Sequence, residues 1–180
     1  MKKKTLVPLI VFLLGICLVG LIVYKIDSHE TEQRHIKAQL NATTYGERIK
    51  NEITNGIAIT DTLKQVLISE NGKISQFDTI AENIMSDVIE SIQLAPDGNV
   101  TDIYPSEGTE ASKIDLLQDK DCSKISCYAR DNHVIITQGP FDLKRGGCGI
   151  AVRNPVYLKD ENNQEYFWGF TIVILRVPDI

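Results

Sequence analysis

The hydrophobic and polar positions divide the chain into an apolar beginning, a long polar helix and a region of alternating strands. The first part, Leu6–Tyr24, contains no charged residue, and only Pro8, Gly15 and Gly20 interrupt its apolar side chains. Its length, at about 1.5 Å per residue, matches the roughly 30 Å hydrocarbon core of a bilayer, whereas the apolar part of a signal peptide is shorter. The pattern predicts a transmembrane helix at 6–24.

The charges around this segment predict its orientation. Lys2–Lys4 precede it, and no Ala-x-Ala-like cleavage site follows Tyr24. The positive-inside rule then makes 1–5 a cytoplasmic tail and places the rest of the chain outside. The sequence therefore predicts a single-pass protein of the cell membrane with an extracytoplasmic domain, and the lipid bilayer as a partner through 6–24.

The next segment, 28–70, is polar with apolar residues at helical spacing, which predicts a long stalk helix. Four of its apolar residues step by four and form a stripe: Tyr45, Ile49, Ile53 and Ile57. The pair Asn55-Gly56 allows a kink or a break. Two alternatives stay open for the stripe, since it can pack on its own domain or join two copies in a parallel homodimer.

Residues 75–180 are predicted to form an α+β domain with a five-stranded, mainly antiparallel sheet and flanking helices. A one-sided helix begins near Phe77, and one or two short helices are expected in Ala111–Arg130. Strands are predicted by alternating or continuous apolar runs at Ile89–Ala95, Asn99–Tyr104, His133–Thr137, Gly149–Tyr157 and Glu165–Arg176. Both alternating sets of the last strand are apolar, which predicts a central strand covered on both faces.

Composition changes this picture only by excluding some partners. All 24 acidic residues and all but three of the 19 basic residues follow the apolar segment. The outward part is therefore acidic, and nucleic acid is excluded as the main partner because its phosphates need a basic surface.

The reactive side chains form no recognisable active site. His29 and His35 lie on the stalk, and His133 has no nucleophile motif beside it. The outward cysteines, Cys122, Cys127 and Cys148, are read as buried thiols or one disulfide, and their spacing fits no zinc finger or ribbon. We therefore expect neither an enzyme nor a metal or cofactor site.

One charged residue inside a predicted strand is more informative. Arg153 lies in the apolar run Gly149–Tyr157, and a guanidinium among apolar neighbours needs a partner. Two alternatives stay open. It can pair with an internal acid such as Asp115 or Asp142, or it can bind an anionic ligand.

Several short segments then resemble, in order and spacing, the CHASE domain, an extracellular sensory module of membrane-bound cyclases and histidine kinases that also occurs in plant cytokinin receptors. The matching segments are Ile92–Gly98, Tyr104–Gly108, Ile114–Leu117, Ala129-Arg130, Gly139–Phe141, Gly147–Ile150, Pro155–Leu158 and Phe167–Phe170. The resemblance implies a long N-terminal helix followed by a PAS-like sheet that binds a small molecule outside the cell.

The resemblance also implies the site residues. The hormone-contacting aspartate of the plant receptors falls on Asp115, an aliphatic contact on Thr137, and a threonine of the pocket floor on Arg153. The last two positions depart from the family pattern, so an adenine-type hormone is not expected, and Arg153 favours a ligand with a carboxylate or phosphate. With Arg145 of the glycine-rich turn, these residues make up the expected ligand-binding set.

The function expected from this resemblance is that of a sensor whose ligand-induced change passes through the stalk helix to a cytoplasmic output domain. Family members continue into a second membrane helix and a cyclase or kinase domain, so we expect this chain to be either an N-terminal fragment or a stand-alone truncated relative. The alternative is a membrane-anchored protein-interaction or scaffold module without a small-molecule ligand.

Overall fold

The computed structural model describes residues 6–106, 115–118 and 123–177. Two compact units divide the chain, one spanning Met1–Arg48 and the other Ile49–Ile180. The described part of the first unit is helical throughout. The second unit contains a β-sheet and its flanking helices.

A single helix, α1, runs from Leu6 to Ser69. The helix is not broken at Asn55-Gly56. A glycine is needed there because this position of the helix lies against the sheet. A Cβ at Gly56 would lie 3.2 Å from a methyl carbon of Val152 and 3.2 Å from one of Leu175. A residue without a side chain therefore lets the helix lie close to the strands.

The beginning of α1 is the segment for which the sequence predicts a membrane span. Within the part of the chain that the structure describes, no helix is both long enough and apolar enough to cross a membrane. The predicted transmembrane helix at 6–24 is therefore not confirmed. Lys2–Lys4, on which the predicted orientation depends, lie outside the described residues.

The strands of the second unit form one antiparallel sheet in the order β2-β1-β5-β4-β3. The elements after α1 are α2 Phe77–Ile84, β1 Ile89–Pro96, β2 Asp102–Tyr104, α3 Ser123–Asn132, β3 Ile136–Asp142, β4 Cys148–Lys159 and β5 Glu165–Val177. The predicted five-stranded α+β domain is confirmed over the described residues, with β5 at the centre of the sheet. The third strand begins later than predicted, because His133 directly follows α3. Residues 107–114 and 119–122 of the predicted helical region lie outside the described residues.

One face of the sheet packs against α1 and α2. Side chains of α1 such as Leu63 and Leu67 are fully buried against Val152, Val156 and Val173 of the two longest strands. Burying each such side chain contributes about 1.5–3 kcal/mol. From the predicted stripe, Ile53 and Ile57 pack against this same core. These two residues are partly buried against the chain's own sheet, and homodimerisation through the stripe stays a prediction.

A second apolar cluster covers the opposite face. It contains Ala95, Val100, Leu116, Ala129, Phe170 and Ile172, and α3 contributes Ala129 to it. The sheet is therefore covered on both faces, as the apolar pattern of β5 predicts.

Side chains of β5 do not alternate regularly between the two faces of the sheet along the whole strand, as its sequence pattern predicts that they should. Val156 pairs with Gly169 but Tyr157 pairs with Phe167, so Trp168 is an extra residue at a β-bulge. The bulge reverses the alternation, and Phe167 joins the cluster of Phe170 while Trp168 joins the α1 side.

Candidate functional site

The sheet face that packs under α3 carries buried polar side chains among its apolar ones. One row of paired residues crosses four strands, because Gln93 pairs with Ile172, Ile172 with Arg153, and Arg153 with Ile136. The neighbouring row consists of Ser91, Ile174, Ala151 and Gln138. Paired residues of adjacent strands point to the same face of a sheet, so both rows belong to one surface.

Arg153 is the charged residue of this surface, and its side chain is only 5% exposed. Its Nη1 donates a hydrogen bond to Oε1 of Gln138, which belongs to the next strand and the neighbouring row. The structure thus gives the guanidinium a neutral amide partner in addition to its other contacts. A buried cation is costly to desolvate, so its presence on an apolar face requires a functional or structural reason.

A second polar pair lies two strands away. Gln93 and Ser91 are both buried, and Nε2 of Gln93 donates a 2.9 Å hydrogen bond to Oγ of Ser91. Strand β5 separates this pair from Arg153, so the backbones that carry them are about 10 Å apart. Ile172 and Ile174 form an apolar ridge between the two polar pairs.

The cover of this face includes α3 and residues 115–118. Ser126 and Ala129 lie three positions apart on α3 and are both fully buried, which places them on the same side of the helix. Oγ of Ser126 makes no hydrogen bond among the described residues. Leu116 covers the face from the other segment, where its N–H donates to the carbonyl oxygen of Gly98.

Aromatic rings line one end of the face. Phe170 contacts Phe167 edge to face, Phe167 contacts Tyr157 in the same way, and His133 stacks on Tyr157 with ring centroids 4.0 Å apart. The hydroxyl of Tyr157 donates to the carbonyl oxygen of Arg130 near the end of α3. Burial raises the pKa of Tyr157, and the nearby Arg130 guanidinium opposes this rise only in part.

The predicted ligand-binding residues do not all lie on one surface of the protein. Arg153 is on the polar face, and Asp115 lies in the segment that covers it. Thr137 pairs with Val152 and therefore lies on the opposite face, where it is exposed. Arg145 is exposed in the turn between β3 and β4. Thr137 therefore does not share a face with Arg153, because side chains alternate between the faces of a strand.

The Asp115 carboxylate has a local role. Its Oδ1 accepts hydrogen bonds from the backbone N–H groups of Leu117, at 2.9 Å, and Gln118, at 3.1 Å. Such a turn orders the covering segment. Asp142, the other internal acid considered for Arg153, pairs with Cys148 at the exposed end of β3.

Sequence reasoning missed Ser91, Gln93, Ser126 and Gln138. Polar residues at every second position of a strand usually mark a solvent-exposed face, so Ser91 and Gln93 carried no signal of burial. Gln138 follows the end of the strand predicted at His133–Thr137. Ser126 could be found only through the helical spacing that it shares with Ala129.

Two of the three outward cysteines lie in the part of the chain that the structure describes. Cys127 and Cys148 are free thiols there, so a disulfide between these two is absent. Cys122 lies outside the described residues. In the described ranges, no group of three or more His, Cys, Asp or Glu side chains could hold a metal ion.

No known protein family matches this sequence. No curated protein matches it either. Among solved structures, the chain is similar to one titled "Extracellular ligand binding receptor from Desulfohalobium retbaense DSM5692", with a TM-score of 0.55 and 14% sequence identity. The match covers 75% of this chain but 24% of that receptor chain, so this chain spans about a quarter of its length. At this identity the likeness shows a shared fold, and it does not confirm the CHASE family.

Proposed function

We propose that the second unit is an extracytoplasmic sensor module that binds a small molecule on the sheet face under α3. The observation that carries this proposal is the buried Arg153 on an apolar face, beneath a helix whose buried Ser126 hydroxyl has no hydrogen-bond partner in the described part of the chain. Native interiors satisfy nearly all buried polar atoms, so an unsatisfied hydroxyl needs an explanation, which in this proposal is a bound ligand. The module is a binding domain in this proposal and has no catalytic role.

The pattern of the face suggests the chemistry of the ligand. A guanidinium recognises carboxylate or phosphate through paired N–H donors, which favours an anionic group near Arg153. Gln93 and Ser91 offer donors and acceptors about 10 Å away, beyond the ridge of Ile172 and Ile174. We therefore propose a small organic anion with an apolar middle part and a second polar group.

The fold of the receptor from Desulfohalobium retbaense supports the sensor proposal as an analogy, because that protein is described as an extracellular ligand binding receptor. The CHASE-like segments point the same way. In this proposal a ligand-induced change passes into α1, which belongs to both compact units, and from there to a cytoplasmic output domain such as a cyclase or kinase.

The proposal includes a membrane anchor at 6–24. This part of the chain is uncharged. Its described large apolar side chains are all exposed in the isolated chain, namely Phe12, Leu14, Ile16, Leu18, Val19, Leu21 and Tyr24. Apolar side chains around a whole helix need an apolar environment. Cysteine labelling at residue 30 in intact cells tests the outward orientation, and labelling only after lysis would contradict it.

A thermal-shift screen tests ligand binding. The full chain in detergent micelles is screened against short dicarboxylic acids and sugar phosphates. A ligand at about 100 times its Kd should raise Tm by about 5–10 °C. Arg153→Met should abolish this shift, whereas Arg34→Met, on the exposed face of α1, should retain it.

The outcome of this screen separates the sensor from its alternative. A shift that survives Arg153→Met would place the ligand elsewhere. If no anion in the screen shifts Tm, the protein-interaction or scaffold module is the better description.

A further inference from the structure

The contact between α1 and the sheet contains buried polar side chains among its apolar ones. Asn154 of β4 is 1% exposed, and its Nδ2 donates a 2.9 Å hydrogen bond to Oδ1 of Asp61 on α1. Its neighbours on this face of β4 are Val152 and Val156, both members of the core under α1. An amide at such a position lowers the apolar burial that a leucine would provide, so a specific role is expected.

A second hydrogen bond lies directly beside the first. Thr171 pairs with Asn154 across β4 and β5, is fully buried, and donates from Oγ1 to the carbonyl oxygen of Thr60 at 3.0 Å. Thr60 and Asp61 are consecutive residues of α1. A third bond follows one turn later, where Nζ of Lys64 donates to the carbonyl oxygen of Pro155 at 3.1 Å.

We infer that the four residues Thr60, Asp61, Asn154 and Thr171 form a polar latch that holds α1 in one register on the sheet. Apolar side chains tolerate small sliding movements, whereas hydrogen bonds need both distance and direction. A helix shift by one residue moves the side chains by about 1.5 Å along the axis and about 100° around it, which breaks both bonds. Asn154 and Thr171 are buried while Asp61 is exposed, and the role we infer for these bonds is to fix the register of the helix rather than to add stability.

The latch lies back to back with the candidate site. Arg153 and Asn154 are consecutive on β4, so the first faces the polar surface under α3 and the second faces α1. A displacement of β4 at Arg153 therefore moves the latch directly. Resting on the proposed function, we assign the latch the role of coupling occupancy of the site to the position of α1.

Hydrogen exchange of the full chain in detergent micelles tests the latch without any ligand. The combined variant Asn154→Leu, Thr171→Val should speed exchange of the α1 amides between residues 57 and 68 about five- to tenfold. The control is Thr62→Val, because Thr62 is exposed on the same helix and bonds only its own helix backbone. It should change exchange less than about twofold.

Equal exchange in the latch variant and in the Thr62→Val control would overturn the latch. If the combined variant fails to fold, Thr171→Val alone is nearly isosteric and should still raise exchange about threefold. An unchanged rate in this single variant overturns the latch as well.

The coupling between the candidate site and the latch is tested by measuring the effect of Arg153→Met with the latch intact and with the latch removed. Arg153→Met should change exchange of the same α1 amides when the latch is intact, and should have no added effect in the combined latch variant. Equal effects in both backgrounds would overturn the coupling but leave the latch. Neither result depends on the metabolite screen, so failure of the coupling and failure of ligand binding are distinguishable.

Discussion

Gly169→Ala is the substitution whose consequence is most sharply determined by the structure. Gly169 follows the bulge residue of β5 and has a φ of 150°, a conformation that favours glycine. A Cβ at this position would lie 2.1 Å from the carbonyl oxygen of Ala95 and 2.7 Å from Cα of Pro96. Both obstacles are backbone atoms of β1, so no side-chain rotation relieves the clash.

The expected loss has two parts. An alanine forced into this backbone conformation costs about 1–3 kcal/mol, and separating two packed strands to admit a methyl group costs about 1–3 kcal/mol more. The sum, about 2–6 kcal/mol, is a large fraction of the 5–15 kcal/mol by which a typical domain is stable. The free energy of unfolding should therefore fall by several kcal/mol.

Gly146→Ala is the matched control. Gly146 has a φ of 83°, and nothing lies within 4 Å of its Cβ position. This variant should lose only the backbone part, about 1–2 kcal/mol. Urea unfolding in detergent micelles measures both variants, with fluorescence of the single tryptophan and far-UV circular dichroism as probes. If Gly169→Ala loses no more than Gly146→Ala, the close approach of β1 and β5 is refuted.

Three further predictions concern other parts of the second unit. Hydrogen bonds from the backbone N–H and the hydroxyl of Ser75 lower the pKa of Glu70, so stabilisation is present above its ordinary pKa and lost as pH falls through the lowered one. The Ser75→Ala variant keeps the backbone donor and loses only the hydroxyl, so an NMR titration should show the Glu70 pKa raised part of the way toward its ordinary value, and an unchanged pKa would contradict this. Burial raises the pKa of Tyr157, so the stabilisation from the neutral phenol is complete below the ordinary tyrosine pKa and lost as pH rises through the raised one. Urea unfolding between about pH 9 and 11 should show this loss of stability in the parent and a smaller loss in Tyr157→Phe. Equal losses in the two proteins would argue against a raised pKa of Tyr157. Gly56→Ala should destabilise the protein by up to about 2 kcal/mol, because the cost of overpacking against the sheet exceeds the gain of about 1 kcal/mol in helix propensity. The control Gly46→Ala has open space around its Cβ and should instead stabilise the helix. A similar gain in both variants would show that the sheet side chains move aside to admit the methyl group.

The hydrophobic pattern of the sequence is enough to predict the helices and strands of this protein and most of their order. Helical spacing along 28–70 and around Phe77 predicted α1 and α2, and the apolar runs predicted five strands with Glu165–Arg176 at the centre. These features depend on interactions between residues that are close in sequence, or on a single strand that is apolar on both faces. The single charged residue inside a predicted strand, Arg153, was visible for the same reason.

Which side chains share a face of the sheet depends on how the strands and helices pack together. The bulge at Trp168 reverses the alternation of β5, and a shift of one residue separates Thr137 from Arg153. The burial of Ser91 and Gln93 depends on a cover that distant parts of the chain supply. The same is true of the bond between Asn154 and Asp61, which are 93 positions apart in the sequence. Such pairings have no local pattern, because they arise only when strands and helices from distant segments are packed together.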